Sequence, residues 1–292
     1  MNHASDQVGL GVQASARLGR ARLGTLDAAA ALADGPFGAG LIHRQTAIAL
    51  NPGLGVFRPL FHALSFNYLA LTAQAQAQDA AADPFLLRHL AARLDPAMRA
   101  FAARLCQEPG LAVHLPQTLA GLEGAAFSAA CRPLGVELAL LEAVADPDGF
   151  AVARRRLAAA GVSVVLDGVS PAALRLLRLH RLGADLVKLA WSPELARQVD
   201  RGLIAAIGRI GPARVLLDRA DTESALRRGL ALGIRGFQGR HVDAMLAAGR
   251  ITACPGGPRC SLAQCSERAA ATLPAARMAC ANPALLEAGA PP

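Results

Sequence analysis

Residues able to do chemistry fall at the ends of a series of short apolar runs. LAVHL (111–115) carries His114, VELALLE (136–142) ends at Glu142, and VSVVLD (162–167) ends at Asp167, followed by Gly168. DLVKLA (185–190) carries Lys188, ARVLLD (213–218) ends at Asp218 with Asp221 three residues on, and IRGFQG (234–239) carries Gln238. Carboxylates on separate strands could hold divalent cations, which need hard oxygen ligands. A lysine among them could neutralise a phosphate. Taken singly, each residue reads as a strand-end or helix-capping group. On successive strand ends, the set points to a polar, metal- or phosphate-binding pocket.

Such a pocket needs a scaffold that brings distant strand ends together. Between the apolar runs lie Ala/Leu/Arg stretches of helical period, such as 84–94, 150–161 and 171–183. Several close on a glycine just before the next strand: Gly110, Gly161, Gly183, Gly211 and Gly233. Seven strands with helices between them mean βαβ units and a parallel sheet. LSFNYLALTA (64–73) is the first of the seven, and GVFRPLF (55–61) supplies an eighth that would pair with it as a hairpin. Eight strands in this length fit a TIM-like (β/α)8 barrel, in which chemistry sits at the C-terminal ends of the strands. No GxGxxG follows a strand, so a dinucleotide fold is not expected.

The composition agrees. The chain has 292 residues, 53% hydrophobic and only 4% aromatic, so its core must be built from Ala, Leu and Val. The net charge is +8, and Lys188 is the one lysine among 30 basic residues. A basic balance favours anionic partners. Scattered arginines and scarce aromatics argue against nucleic acid. No apolar run is long enough to span a membrane and no signal-peptide core is present, so a cytoplasmic location is expected. Residues 1–50 read as an N-terminal extension, partly disordered, and 250–292, rich in Pro, Gly and Cys, as a tail.

The ordered set of elements over residues 52–249, strongest from 162 to 242, resembles the EAL domain. That family is the barrel-forming phosphodiesterase that cleaves the bacterial second messenger cyclic di-GMP. The resemblance places an EAL-like barrel at 51–249 and implies a site of two divalent cations. Of the family's DDFG aspartates, the first falls on Asp167 and the second on Gly168. Its strand lysine falls on Lys188, the aspartate two residues later on Ala190, and its EGVE glutamates on Asp218 and Asp221. Its glutamine falls on Gln238, and the asparagine of its N-L-S strand on His114. The metal-ligand glutamate of the next strand falls on Ala139, or on Glu142 if the alignment slips. E-A-L itself falls on Leu69-Ala70-Leu71, the arginine after it on Ala73, and Q-P-I on Arg58-Pro59-Leu60.

The departures matter physically, because leucine, glycine and alanine cannot ligate Mg²⁺ or Mn²⁺. With Leu69, Gly168 and Ala190 at family positions, the retained carboxylates Asp167 and Asp218, with Glu142, would hold one ion weakly. The resemblance therefore implies a degenerate EAL domain in cyclic di-GMP signalling, either a nucleotide receptor or a protein-interaction module. No cofactor is expected, with Mg²⁺ or Mn²⁺ serving only if activity remains. As a receptor, it would hold phosphates and bases with Arg58, Lys188, Gln238 and Arg240. A protein partner and a second copy of the chain are the other partners considered. The rival reading is an active phosphodiesterase rescued by Glu137, Glu142, Asp185 or Asp221. Cys254, Cys260, Cys265 and Cys280 are separated by five, four and fourteen residues, without a CxxC pair, and read as free thiols in the tail rather than a zinc site.

Overall fold

The computed structural model describes residues 41–51, 53, 56–68, 70, 71, 83–107, 110–127, 133–197 and 201–287. Eight strands close into one barrel in the order β1 to β8. They are β1 (Ile42–Asn51), β2 (Val56–Phe66), β3 (Ala112–Gln117), β4 (Leu134–Ala139), β5 (Ser163–Val169), β6 (Leu186–Ala190), β7 (Val215–Asp218) and β8 (Gly236–Phe237). β1 runs antiparallel to both neighbours, and every other neighbouring pair is parallel.

The helices are α1 (Pro84–Leu105), α2 (Leu119–Leu122), α3 (Leu140–Ala145), α4 (Pro147–Ala159), α5 (Pro171–Leu176), α6 (Pro193–Arg197), α7 (Arg201–Ile210), α8 (Glu223–Ala231), α9 (Arg240–Ala253), α10 (Leu262–Ala270), α11 (Pro274–Arg277) and α12 (Ala284–Glu287). Side-chain oxygens of Asp146, Ser170 and Thr222 accept from backbone N–H groups in the first turns of α4, α5 and α8. Gly161 and Gly233, with φ of +71° and +83°, turn the chain back toward β5 and β8.

The main core lies between the outward faces of the strands and the helices. Leu115, Leu138, Leu166 and Leu189 pack there with Leu94, Met98, Phe150 and Leu203. Inside the barrel, Ala47, Phe61, Ala63 and Leu216 form a much smaller apolar plug. Side chains alternate along a strand, and directly paired residues share a face. Register therefore carries the inward face from Ala112 and His114 to Glu137, Asp167, Lys188, Asp218 and Gln238. Polar residues fill the upper barrel above the plug.

Three boundaries differ from the sequence reading. The barrel begins at Ile42, inside the stretch set apart as an extension, because β1 closes it by pairing with β2 and β8. Residues 55–61 and the start of 64–73 are not two strands but one, β2, and its hairpin partner is β1. The segment after Arg250 is folded. Thr272 donates to Ile42 O at 2.8 Å, and buried Arg44 donates to Ala269 O at 2.7 Å and to Leu286 O at 3.0 Å while pairing with Glu287 at 2.7 Å. α10 and α12 are thereby fastened to the outside of β1.

Candidate functional site

The centre of the upper barrel is an ion pair. Lys188 Nζ lies 2.5 Å from Glu137 Oε1, and the two side chains are 3% and 6% exposed. His114 Nδ1 stands 3.6 Å from the same carboxylate, and the His114 ring stacks on Phe61 at 3.6 Å between centroids. Gly135 leaves room for that imidazole, since a Cβ there would meet its ring atoms at about 2.5 Å. Lys188 also lies over Phe61, 5.8 Å from the ring centroid. Asp167 and Asp218 complete the ring from β5 and β7. The β5–β6 register slips between Leu166 and Val169, a bulge where Gly168 takes a φ of +69°.

Electrostatics divides the three carboxylates. Burial pulls the Glu137 carboxyl upward, but Lys188 and His114 outweigh it and hold Glu137 below its ordinary range. Burial would depress Lys188, but Glu137 and then Asp167 raise it. Asp167 is pushed up by burial and by the Glu137 charge, against the pull of Lys188. Asp218 is pushed up by burial, with Lys188 opposing and Asp167 adding. One cation thus serves Glu137, and the two outer aspartates hold a proton more readily than a free aspartate does.

Beside this ring, a cavity of about 320 Å³ opens between α1 and the ends of β3 and β4. Tyr68, Asp95, Met98, Glu137, Glu142 and Asp167 line it. Asp95 accepts from Thr118 N at 3.0 Å and Thr118 Oγ1 at 2.7 Å, yet burial still pushes its carboxyl up to about 6. Burial, with the Asp95 charge, pushes Tyr68 up to about 12.

The residues expected from the sequence scatter between this ring and elsewhere. His114, Asp167, Lys188 and Asp218 meet at the ring. Gln238 is buried at the rim, donating to Gln45 Oε1 at 3.1 Å while its own Oε1 has no partner among the described residues. Arg240 starts α9, exposed and paired with Asp221 at 2.9 Å. Arg58 does not join them. Ala63 is the β2 residue level with His114, and Arg58 lies five residues earlier, near the opposite end of the barrel and exposed. Glu142 lines the cavity beside the ring without joining it: β4 stops at Ala139, and Glu142 sits on α3, bound to Arg88 at 2.9 Å and accepting from Leu119 N at 2.8 Å. Ala190 pairs with Asp218 at the end of β6. Leu69 and Ala73 lie outside the described residues.

Glu137 is the residue that inspection of strand ends misses. The available signal is parity: two residues before Ala139, it shares a face with the partner of Asp167, and it is the one charge inside an apolar run. A pair of divalent cations does not fit these donors. Glu137 is bound to Lys188, and positions 168 and 190, Gly and Ala, offer no side-chain oxygen.

The chain is similar to EAL-domain structures. Klebsiella pneumoniae BlrP1, solved at pH 6 with manganese and cyclic di-GMP, is 16% identical, covering 68% of this chain and 54% of that one, with a TM-score of 0.45. Vibrio cholerae LapD S helix-GGDEF-EAL without ligand is 14% identical over 73% and 56%, with a TM-score of 0.48. The Xanthomonas citri FimX EAL domain with cyclic di-GMP is 13% identical over 79% and 95%, at 0.43. The chain spans about half the length of the first two. No protein-family model matches it, and no curated protein does. No helix among the described residues is long and apolar enough to cross a membrane.

Proposed function

We propose that this chain is an EAL-type barrel that does not hydrolyse cyclic di-GMP and that works in cyclic di-GMP signalling as a protein-interaction module. The observation that carries the reading is the Lys188–Glu137 contact of 2.5 Å at the barrel centre. In-line hydrolysis assisted by two cations needs carboxylates free to ligate them. Here the central carboxylate is already neutralised by a lysine, and the neighbouring positions 139, 168 and 190 are Ala, Gly and Ala. Charge also argues for a protein partner over a nucleotide. Asp95, Glu137, Asp167 and Glu142 line the mouth cavity, and its arginine, Arg88, is already paired with Glu142. With Lys188 held by Glu137 and Arg88 by Glu142, a doubly anionic ligand entering without metal would have to compete with carboxylates already in place for these cations. Leu141, 68% exposed, lines the same mouth from α3, and Val144, 46% exposed, follows three residues later on that helix.

The test is calorimetric titration of the full chain with cyclic di-GMP, with and without Mg²⁺ or Mn²⁺, and chromatography of the same samples. No heat and no linear product are expected. Micromolar binding without turnover would replace the interaction reading with a nucleotide receptor. Release of linear product would overturn both and return the chain to the active phosphodiesterases.

A further inference from the structure

Four of the five described cysteines meet around one small cavity, away from the barrel mouth. Cys254, Cys260, Cys265 and Cys280 line it, together with Arg250 and Arg268. The fifth, Cys106, is buried in the main core. Three pieces of chain supply the four thiols. Cys254 and Cys260 flank the turn CPGGPRC after α9, Cys265 lies on the buried face of α10, and Cys280 follows α11. The turn is folded tightly enough to require its glycines. A Cβ on Gly257 would lie 2.0 Å from Ile251 O, and one on Gly256 2.8 Å from Ala281 Cβ. Gly257 N donates to Cys254 O at 2.8 Å and Cys260 N to Gly257 O at 2.9 Å, so the turn folds back on itself between its two cysteines.

We infer that these four thiols form a site for one thiophilic divalent cation of the zinc class. Three observations converge. The first is number and place: four cysteines line one cavity of about 20 Å³, room for a single ion. The second is charge. Four thiolates around a divalent cation carry a net double negative charge, and two arginines border the cavity, Arg268 Nη1 at 3.3 Å from Cys260 Sγ and Arg250 buried. The positive charge of the two guanidinium groups would offset part of that negative charge once the ion is bound. The third is stability. The core of this C-terminal lobe is only Ala247, Cys265, Ala269 and Leu286, with Ile251 and Cys280 against it. So small a core is the situation in which structural metals and disulfides are recruited. As they stand, no three of these groups are placed to hold an ion, so binding requires the cysteine side chains to turn into the cavity.

Metal binding by four cysteines releases protons and exchanges no electrons, so it needs no co-reactant. The test is metal analysis of the full chain purified under reducing conditions, followed by Co²⁺ titration of the chelator-treated protein. Zinc approaching one ion per chain is expected. Co²⁺ should produce the thiolate charge-transfer band and tetrahedral visible spectrum, and both should disappear in Cys254→Ser and Cys280→Ser. Zinc should also protect the thiols from alkylation in the parent chain, a readout that does not depend on the variants folding. Absence of metal together with a featureless Co²⁺ titration would overturn the site. So would disulfides among the four cysteines in non-reducing peptide maps, or metal retained in both variants.

Discussion

Replacing Lys188 with methionine should destabilise the barrel by about 3–5 kcal/mol at neutral pH, the usual cost of stranding one partner of a buried ion pair. At a separation of 2.5 Å, the Lys188–Glu137 attraction is about 7 kcal/mol at an effective dielectric of ~20. Desolvating each ion costs several kcal/mol, so the pair as a whole is close to neutral against an apolar pair of similar volume. Lys188→Met/Glu137→Gln should therefore recover most of the loss, and the double-mutant cycle isolates the coupling. The pH dependence carries the same logic. The folded-state depression of Glu137 contributes stability above about pH 4.3 that is lost as pH falls. The elevation of Lys188 contributes stability below about pH 10.4 that is lost as pH rises beyond it. The parent should thus be level with respect to this pair around neutrality. In Lys188→Met, burial of Glu137 is opposed by His114 alone and its carboxyl rises, so that variant should lose stability as pH rises above about 4.3. Urea unfolding between pH 4.5 and 8 measures all three proteins. A single variant within about 1 kcal/mol of the parent at neutral pH, or a double variant no more stable than the single, would refute this account of the barrel centre.

Glu287 is held at about 2 because its bonds to Arg44 and Arg277 outweigh burial. The contribution it makes is present above about pH 4.3 and is lost as pH falls toward 2, and Glu287→Gln should remove that acid-side slope in thermal melts. Because Glu287 is 36% exposed, solvent screening keeps the effect modest. Asp95 has the opposite sign. Burial raises it to about 6, so its folded form loses stability as pH rises from about 4 through 6, and Asp95→Asn should flatten that interval in urea titrations. Gly239→Ala should cost about 3 kcal/mol or more, because φ there is 150° and a Cβ would lie 2.4 Å from Ala220 N. An unchanged melting temperature for Gly239→Ala would show that the Gln238–Arg240 turn is looser than described.

Much of the barrel is legible in the chain. Apolar runs alternating with helical stretches and closing glycines identify β3 to β8 and the helices between them, because those signals are local: each depends on periodicity within a dozen residues. The set of strand ends carrying His114, Asp167, Lys188 and Asp218 is legible for the same reason. β1 is not, because its residues are strand-like only through partners in β2 and β8, the latter almost two hundred residues away. Nor is the fate of Arg58 or Glu142. A residue's position along a strand decides whether it reaches the mouth, and one turn of helix begun at Leu140 moves Glu142 off the strand altogether. Glu137 gains its place at the centre from the parallel register with β5, which sets which residues of VELAL face inward. Cys254, Cys260, Cys265 and Cys280 look unrelated by spacing and come together only because α10 and the segments after it pack back against α9. Period and composition are properties of neighbours in sequence. Register, barrel end and convergence are properties of residues far apart in sequence, and only the closed structure determines them.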